Sequence, residues 1–285
     1  MARQRKLARL KNICGELMAD SKPKAFTLPE LLVVISSIGL LMAISVPVLV
    51  TARSGAQGTV CRSNLRQLVL ANIEYSDEHD GFFVPAASDI WNDIGGYHRW
   101  HGVRSDKDEP FDPYQGPLAG YLGGGKVKEC PGKVRYASGQ KWEESFEKGC
   151  GGYGYNMSYI GSCLWRSGLG LEERYSETTN ITSVSKPDKT LMFADTGFNQ
   201  NGMLIEYSFA EPPYFIMNGK LFKRMSVLPS IHFRHKGGAN VGWSDGHCDT
   251  RQKANCKGLK SYNKDFDGMN LGWFEPLNNT LFDLD

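Results

Sequence analysis

One uninterrupted apolar segment near the N-terminus constrains this chain more than any other feature. Residues 31–50 include no charged side chain, and they follow the pentapeptide Phe-Thr-Leu-Pro-Glu at 26–30. A helix rises ~1.5 Å per residue, so these twenty residues would span ~30 Å, the thickness of a bilayer's hydrocarbon core. Glu30 stands directly before them, and a charge beside hydrocarbon costs a few kcal/mol or more unless it has a partner. The sequence therefore predicts one membrane-spanning helix headed by a carboxylate that needs a partner.

This pattern resembles the processing site of type IV prepilins and type II secretion pseudopilins. The resemblance rests on a basic leader that ends at Ala25, on the pentapeptide and on the apolar segment. It implies that a prepilin peptidase cuts between Ala25 and Phe26 and then methylates the new amine of Phe26. It also implies that Glu30 neutralises the terminal amine of a neighbouring subunit during assembly. Pro47 falls where pilins often carry a helix-kinking proline.

Two other processing routes share some of these features. A plain signal anchor has the same basic flank and apolar segment, but it has no use for Phe-Thr-Leu-x-Glu. An ordinary secretory signal is cut after its apolar region at a small-x-small site, which Val-Thr-Ala at 50–52 matches only weakly. The chain departs from the prepilin pattern at Ala25, where the family usually has Gly, and at Pro29, where it has an aliphatic residue. Proline is tolerated in the first turn of a helix.

Basic residues concentrate before the apolar segment. The leader, residues 1–25, holds seven Lys or Arg against Glu16 and Asp20, a net charge of +5. Since the whole chain carries +2, the remainder carries about −3. The positive-inside rule then places the leader in the cytoplasm and the chain after about Arg53 on the outer side. No basic stripe remains for nucleic acid. With the resemblance, this implies a single-pass protein of the bacterial inner membrane whose C-terminal domain lies in the periplasm or at the cell surface.

We predict an α+β, pilin-like fold, in which a long N-terminal membrane-spanning helix packs on an antiparallel β-sheet with long loops. The predicted parts are a cytoplasmic leader (1–25), a transmembrane helix (26–50), its soluble continuation (51–80) and an extracytoplasmic β-rich domain (81–285). At 285 residues the chain has room for one large domain beside the membrane segment.

Local signals refine this fold. Gly55 and Gly58 predict a weak point in the helix, because each costs about 1 kcal/mol relative to Ala. The helix is expected to end near Asp77, before the turn signal Asp80-Gly81. Short apolar segments bounded by turn residues predict strands at 82–85, 153–160, 190–195, 203–207, 231–234, 239–243 and 247–251.

Six cysteines lie beyond the predicted span, and Cys14 lies in the leader. An even number of cysteines in an oxidising compartment predicts disulfides, with fifteen possible pairings. A Cys248–Cys256 bond would close a local loop, and a Cys61–Cys130 bond would tie the helix to the globular part. The alternative is that some are buried free thiols. The six are Cys61, Cys130, Cys150, Cys163, Cys248 and Cys256.

Five further segments resemble one branch of the pseudopilin-like proteins. That branch carries a processing-associated domain defined by His, nine residues and Asp-Gly, which His235 and Asp245-Gly246 match. The other four matches are Cys-x-x-Asn-Leu-x-Gln at 61–67, Cys-Pro at 130–131, Tyr-x-x-Asn at 153–156 and Pro-x-x-Thr opening the segment 187–195.

The residues His235, Asp245 and His247, with His232 nearby, are the one cluster that the sequence singles out as a site. Asp245-Gly246 is a strong hairpin signal. We predict that His235 lies opposite Asp245 and that their hydrogen bond stabilises the turn at Gly246. A metal site with His and Asp ligands is the alternative. No His-x-x-x-His or Cys-x-x-Cys pattern makes zinc specific, so no metal is predicted there.

A calcium loop is a weaker hypothesis near the C-terminus. Asn263, Asp265, Asp267 and Gly268 imitate the start of such a loop, which needs a bidentate Glu at its twelfth place. That place is occupied by Phe274, so a polar surface turn is the favoured interpretation and no cofactor is expected beyond this calcium hypothesis.

The sequence supports two main functions. No nucleophile elbow, phosphate-binding Gly loop or paired carboxylates occur at recognisable spacing, so we do not expect an enzyme. The first hypothesis is a structural pseudopilin-like subunit whose partners are the prepilin peptidase, other pseudopilin subunits or itself, and the membrane. The alternative is a membrane-anchored binding module that grips polysaccharide or a surface partner through aromatic residues such as Trp91 and Trp165. An outer-side metalloenzyme around His235 and Asp245 is a third.

Overall fold

A computed structural model of the chain describes residues 26–91, 96–107, 109–132, 134, 136, 147–259 and 262–285. The leader, with Ala25 and Cys14, lies outside these residues. In the described part, one long helix, short helices and short antiparallel strands follow each other, which confirms the expected α+β class and the long N-terminal helix. The chain divides into two compact units, Met1–Ala52 and Arg53–Asp285.

The elements are numbered in chain order. The helices are α1 (Leu28–Glu78), α2 (Leu171–Ser176) and α3 (Lys264–Gly268). The strands are β1 (His98–Arg99), β2 (Gly102–Val103), β3 (Tyr153–Tyr155), β4 (Leu191–Asp195), β5 (Phe198–Gln200), β6 (Met203–Ile205), β7 (Tyr214–Met217), β8 (Lys220–Ser226), β9 (Ile231–His232), β10 (Gly238–Trp243), β11 (Cys248–Gln252) and β12 (Leu271–Gly272).

Helix α1 continues without interruption from the apolar segment into the second unit. Its residues 31–50 are exposed, whereas buried positions begin at Gly58. The weak point predicted at Gly55 and Gly58 is not a break in the helix, because α1 is helical through both. Gly58 is buried, and its carbonyl oxygen accepts a hydrogen bond from Asn240 Nδ2 at 3.4 Å. At Gly58, tertiary packing therefore offsets the ~1 kcal/mol that a glycine costs a helix.

The main sheet has four antiparallel strands in the order β11, β10, β4, β3. Strand β10 pairs with β11 through Gly238↔Gln252 to Gly242↔Cys248, and with β4 through Val241↔Ala194. Strand β3 pairs with β4 so that Tyr153 lies opposite Asp195. All residues of β10 and β4 are buried, which places these two strands in the centre of the core.

One face of α1 covers this sheet. Its buried residues recur every three or four positions, as expected for one face of a helix. Apolar and polar side chains share that face, since Asn64, Asn72 and Ser76 are buried among the leucines. Asn72 accepts a hydrogen bond from Val84 N at 2.9 Å and donates one to Tyr155 Oη at 3.0 Å. The buried apolar members of the face are Cys61, Leu65, Leu68, Val69 and Ala71.

The strand predictions were partly right. Strands form within 153–160, 190–195, 203–207 and 231–234, and β10 and β11 form the predicted hairpin, with Gly246 at φ +93° in its turn. Residues 82–85 are not a strand; Phe82 makes one isolated bridge to Asn180. The hairpin of β7 and β8 was missed.

Gly242 marks the closest approach of α1 to the sheet. A Cβ built at Gly242 would lie 2.7 Å from Val69 Cγ2 and 3.6 Å from the Leu65 carbonyl oxygen. Val69 is β-branched and buried, so it has no free rotamer into which to retreat. Only a residue without a side chain fits there, and this sets the distance between helix and sheet.

Gly242→Ala should therefore destabilise the second unit by about 1–3 kcal/mol, the usual cost of overpacking a core. Gly120→Ala is the matched control, because no atom lies within 4 Å of a Cβ built at Gly120. Thermal unfolding of the full chain in detergent, followed by circular dichroism, measures both. Equal midpoints for the two variants would contradict this account of the helix–sheet contact.

Candidate functional site

Reciprocal hydrogen bonds between Thr27 and Glu30 cap the N-terminus of α1. Glu30 Oε2 accepts hydrogen bonds from Thr27 N at 2.9 Å and from Thr27 Oγ1 at 2.7 Å. In return, Glu30 N donates to Thr27 Oγ1 at 3.4 Å. This arrangement is a capping box, in which an N-cap Thr and a Glu three residues later satisfy each other's backbone N–H groups.

The capping box gives Glu30 a partner inside its own chain. The expected partner was the amine of a neighbouring subunit, although Thr-x-x-Glu at 27–30 is also a recognisable capping signal. Thr27 lies after the expected cleavage point, so removal of residues 1–25 would leave the capping box intact. The carboxylate can therefore cap the helix and still pair with a cation at the head of α1.

A second group of reactive side chains meets in the second unit. Cys61, Cys130, Asp195 and His235 each present one ligand-type atom, and these four atoms all lie within 4.8 Å of one another. We call these four residues the Cys–Asp–His cluster. Cys61 lies on α1 and Asp195 ends β4, whereas Cys130 and His235 lie in loops, the latter just before β10.

The contacts within the cluster are short and mutual. Cys61 Sγ donates to Asp195 Oδ1 at 3.1 Å, and His235 Nε2 lies 3.3 Å from Asp195 Oδ2. The same His235 Nε2 lies 3.4 Å from Cys130 Sγ. One nitrogen of His235 therefore faces both a thiol and a carboxylate. Cys61 and Asp195 are completely buried, and Cys130 and His235 are partly buried.

Neighbouring groups orient the cluster. The backbone N–H of Asn240 donates to Asp195 Oδ2 at 2.8 Å, and Tyr153 Oη donates to Cys61 Sγ at 3.5 Å. Asn64 Nδ2 in turn donates to Tyr153 Oη at 3.3 Å. Each buried donor thus has an acceptor, which fixes the rotamers of the side chains that point into the centre.

The electrostatics of the cluster favour an ionised carboxylate and thiolate. Burial opposes ionisation of Asp195, but the hydrogen bond from His235 and the charge of Arg234 hold its pKa below the usual value. The hydrogen bond with Cys61, together with that of His235, lowers the pKa of Cys130 below its usual value. Burial raises the pKa of Cys61 well above its usual value.

Burial by itself would lower the pKa of His235, but hydrogen bonds with Asp195 and Cys130 raise it to about 9. Arg234 adds a second positive charge beside the cluster. Its Nη2 donates to the Thr196 carbonyl oxygen, and its Nε donates to His232 Nδ1 at 3.1 Å. Two groups that favour a negative charge, Asp195 and Cys130, therefore lie beside two that favour a positive charge, His235 and the neighbouring Arg234.

The structure does not bring His235 and Asp245 together, so this prediction is wrong. The two residues lie beyond opposite ends of β10, whose six residues span ~20 Å at ~3.3 Å each. Asp245 Oδ1 instead lies 2.6 Å from His247 Nδ1 at the exposed turn, and His235 contacts Asp195. The hairpin predicted at Gly246 is confirmed, but His235 takes no part in its turn.

The predicted disulfides are absent from the described residues, in which all six cysteines are free thiols. Cys61 and Cys130 do meet, as one proposed pairing required, but they do so together with Asp195 and His235. Cys256 is buried against Trp273 in a small separate core, and Cys248 is half-buried on β11. Cys150 and Cys163 are buried.

The residues of the calcium hypothesis are engaged otherwise. Asn263 Oδ1 caps the short helix α3 by accepting from Asp265 N at 3.0 Å and Phe266 N at 3.2 Å. Asp267 Oδ1 pairs with Lys253 Nζ at 2.6 Å. A helix thus stands where a loop was needed, and these oxygens face backbone and lysine donors. The favoured prediction, a polar surface turn, agrees better with this short capped helix than the calcium loop does.

The two aromatic side chains named for the binding-module alternative lie in different surroundings. Trp165 packs against the main core, and its Nε1 donates to Thr179 Oγ1 at 3.0 Å. Trp91 is half-exposed, and Trp142 lies outside the described residues. Of the two aromatics named for binding, Trp165 therefore belongs to the core, whereas Trp91 stays accessible.

Sequence reasoning missed Asp195 and did not connect the four members of the cluster. Each of them lies in a different one of the segments that resemble the pseudopilin-like branch: 61–67, 130–131, 187–195 and the His-x9-Asp-Gly element. The sequence signal that could have found the site was this set, because each of these four segments contains one of the four cluster residues. Spacing within any single segment gives no metal pattern.

Glu211 is a buried carboxyl whose pKa, unlike that of Asp195, is set by burial and a tyrosine rather than by neighbouring cations. Its Oε1 accepts from Tyr207 Oη at 3.0 Å, and burial raises its pKa to about 7. A carboxyl whose folded pKa lies above its unfolded value binds more protons when folded, so the free energy of unfolding falls as pH rises from about 4.5 to about 7.

We expect this loss to be on the order of 3 kcal/mol, because one pKa unit corresponds to about 1.4 kcal/mol. Glu211→Gln should lessen the decline and stabilise the chain above pH 7, whereas the exposed control Glu74→Gln should follow the wild type. Thermal unfolding from pH 5 to pH 8 measures this. Parallel curves for wild type and Glu211→Gln would refute a proton on Glu211.

Comparisons with known proteins do not assign the chain to a family. No family model, no curated protein and no solved structure matches the chain. Function is therefore inferred from the head of α1 and from the side chains of the second unit alone.

Proposed function

We propose that this chain is a pseudopilin-like structural subunit of a type II secretion or type IV pilus-like assembly. A prepilin peptidase would cut between Ala25 and Phe26 and methylate the amine of Phe26. The mature chain would hold a single span in the bacterial inner membrane, with its second unit in the periplasm or at the cell surface. Its role would be structural, not enzymatic.

One observation carries the proposal. Among the residues described, α1 is the one helix long and apolar enough to cross a membrane, and its residues 31–50 are exposed on all sides. Such a surface requires lipid or other apolar helices around it. The motif Phe-Thr-Leu-Pro-Glu stands directly at the head of this helix, where prepilin processing would act.

Glu30 would supply the specificity of assembly. Apolar helices gain little from leaving lipid for one another, because lipid is as apolar as leucine. A carboxylate at the head of α1 can pair with the terminal amine of the Phe26 in an adjacent subunit, and the low local dielectric strengthens that pairing. The capping hydrogen bonds from Thr27 would hold the carboxylate in position for it.

The first test is the mass of the N-terminus of the protein from native membranes. We expect a chain that begins with N-methylated Phe26, because the cut precedes the apolar segment. A chain beginning at Arg53 would identify an ordinary secretory signal, and an intact Met1 would identify a plain signal anchor. Either result would overturn the proposal.

The second test separates the charge of Glu30 from its role as a cap. Glu30→Gln keeps the capping box, which accepts Gln in that place, but it removes the charge. Losing this charge pairing should lower self-association by about tenfold or more, while processing at Phe26 continues. Crosslinking in membranes, followed by quantification of oligomers, measures the effect.

The matched variant is Thr27→Ala, which keeps the charge and removes the cap at a cost of about 1 kcal/mol. It should assemble much better than Glu30→Gln. If Thr27→Ala fails to assemble and Glu30→Gln assembles like the wild type, Glu30 acts through the capping box, and neutralisation of a neighbour's amine is refuted.

A further inference from the structure

We propose that the Cys–Asp–His cluster is a structural zinc site that fastens α1 to the β-sheet. Cys61 and Cys130 would supply two sulfurs, His235 one nitrogen and Asp195 one oxygen. This function is separate from membrane assembly and does not depend on the proposed processing at Phe26. It concerns only residues of the second unit.

The distances approach those of tetrahedral coordination, because the four ligand atoms lie within 4.8 Å of one another and Asp195 meets Cys61 and His235 through its two different oxygens. With Zn–S bonds of about 2.3 Å and Zn–N or Zn–O bonds of about 2.0–2.1 Å, the ligand atoms of a tetrahedral site lie about 3.3–3.8 Å apart. In the cluster, His235 Nε2 lies 3.4 Å from Cys130 Sγ and 3.3 Å from Asp195 Oδ2, and Cys61 Sγ lies 3.1 Å from Asp195 Oδ1. Small movements would accommodate the ion.

The donor set selects the metal. Two thiolates favour a soft or borderline ion, and an imidazole and a carboxylate are both ordinary ligands of zinc. Calcium and magnesium prefer sites made of oxygen, so they are excluded. Four protein ligands leave no position open for water, which is the arrangement of structural rather than catalytic zinc.

The orientation of His235 argues against a nucleophilic cysteine. In a Cys–His–Asp triad, the histidine contacts the cysteine and the carboxylate through its two different ring nitrogens. Here Nε2 alone faces Cys130 and Asp195. A single nitrogen aimed at the centre of two thiols and a carboxylate is the geometry of a ligand, not of a general base.

The surroundings keep the four ligands close. A Cβ at Gly132 would lie 3.1 Å from His235 Cε1 and 3.3 Å from Cys130 Sγ, so this backbone approaches the site more closely than a side chain would allow. Tyr153 Oη and the Asn240 N–H provide the outer hydrogen bonds that orient Cys61 and Asp195. Metal ligands depend on such outer contacts for their orientation.

The ligands come from distant parts of the sequence, from Cys61 to His235. An ion bound to all four would join α1, β4 and two loops, and would restrict the unfolded chain over this whole interval. Binding would release the thiol proton of Cys61 and the imidazolium proton of His235, because zinc binds the deprotonated forms. The buried charges would then be compensated by the ion.

The test uses the full chain, purified in detergent from native membranes without chelator. Elemental analysis should find one zinc per chain. After zinc is removed under reducing conditions, added Co²⁺ should give the thiolate-to-cobalt absorption and the visible bands of a tetrahedral site, and zinc should then bleach them. Co²⁺ is the probe, since Zn²⁺ has no spectrum.

Two variants weaken the site in different ways. Cys61→Ser removes a ligand and should lower the affinity for Co²⁺ by more than about 100-fold, whereas Tyr153→Phe removes only an outer hydrogen bond and should lower it about 10–100-fold. Cys163→Ser is the matched control, because Cys163 is buried outside the cluster, and it should bind like the wild type.

Three results would overturn the zinc proposal. A wild-type chain that is folded and reduced but gives no tetrahedral Co²⁺ spectrum would overturn the proposal, even if Cys61→Ser does not fold. A Cys61–Cys130 disulfide in protein from native membranes would overturn it, and so would stoichiometric iron or copper in place of zinc. Failure of the N-terminal processing test would leave this result untouched.

Discussion

The packing of one face of α1 on the central strands β10 and β4 is the contact on which the rest of this structure depends. Leu65, Leu68 and Val69 are fully buried there, and each contributes about 1.5–3 kcal/mol when removed from water. Gly242 lets the helix approach until Val69 nearly touches the strand backbone. This spacing brings Cys61 within reach of Asp195, at the end of β4, and so it creates the Cys–Asp–His cluster.

The same interface is more polar than an ordinary core. Asn64, Asn72 and Cys61 form a row along α1 and meet Tyr153, Tyr155 and Asp195 on the sheet. Buried polar groups are costly unless they are paired, so such a row tolerates one register of the helix against the sheet and penalises others. These hydrogen bonds therefore favour a single position of α1 on the sheet. Residues 31–50 of the same helix are exposed and uniformly uncharged, and they carry no comparable row of paired polar side chains.

The sequence predicted the elements that depend on local patterns. The length and uniformity of residues 31–50, the helical spacing that continues through Leu65 and Leu68, and the turn at Asp245-Gly246 are all signals within a few residues. Strands β7 and β8 were missed because Tyr214–Met217 and Lys220–Ser226 alternate weakly. Gly55 and Gly58 do not interrupt α1, because the helix propensity of a glycine is a small term, which tertiary packing offsets at Gly58.

The sequence by itself determined the kind of molecule, a long apolar helix with a carboxylate at its head followed by an antiparallel α+β unit. Hydrophobic length, charge position and turn chemistry are local, and no distant contact can remove them. Only the tertiary structure decided the partners of His235, because a side chain beyond one end of a strand meets whatever the neighbouring elements bring there. Cys61, Cys130 and Asp195 arrive from three separate segments, and no spacing in the chain records that they meet.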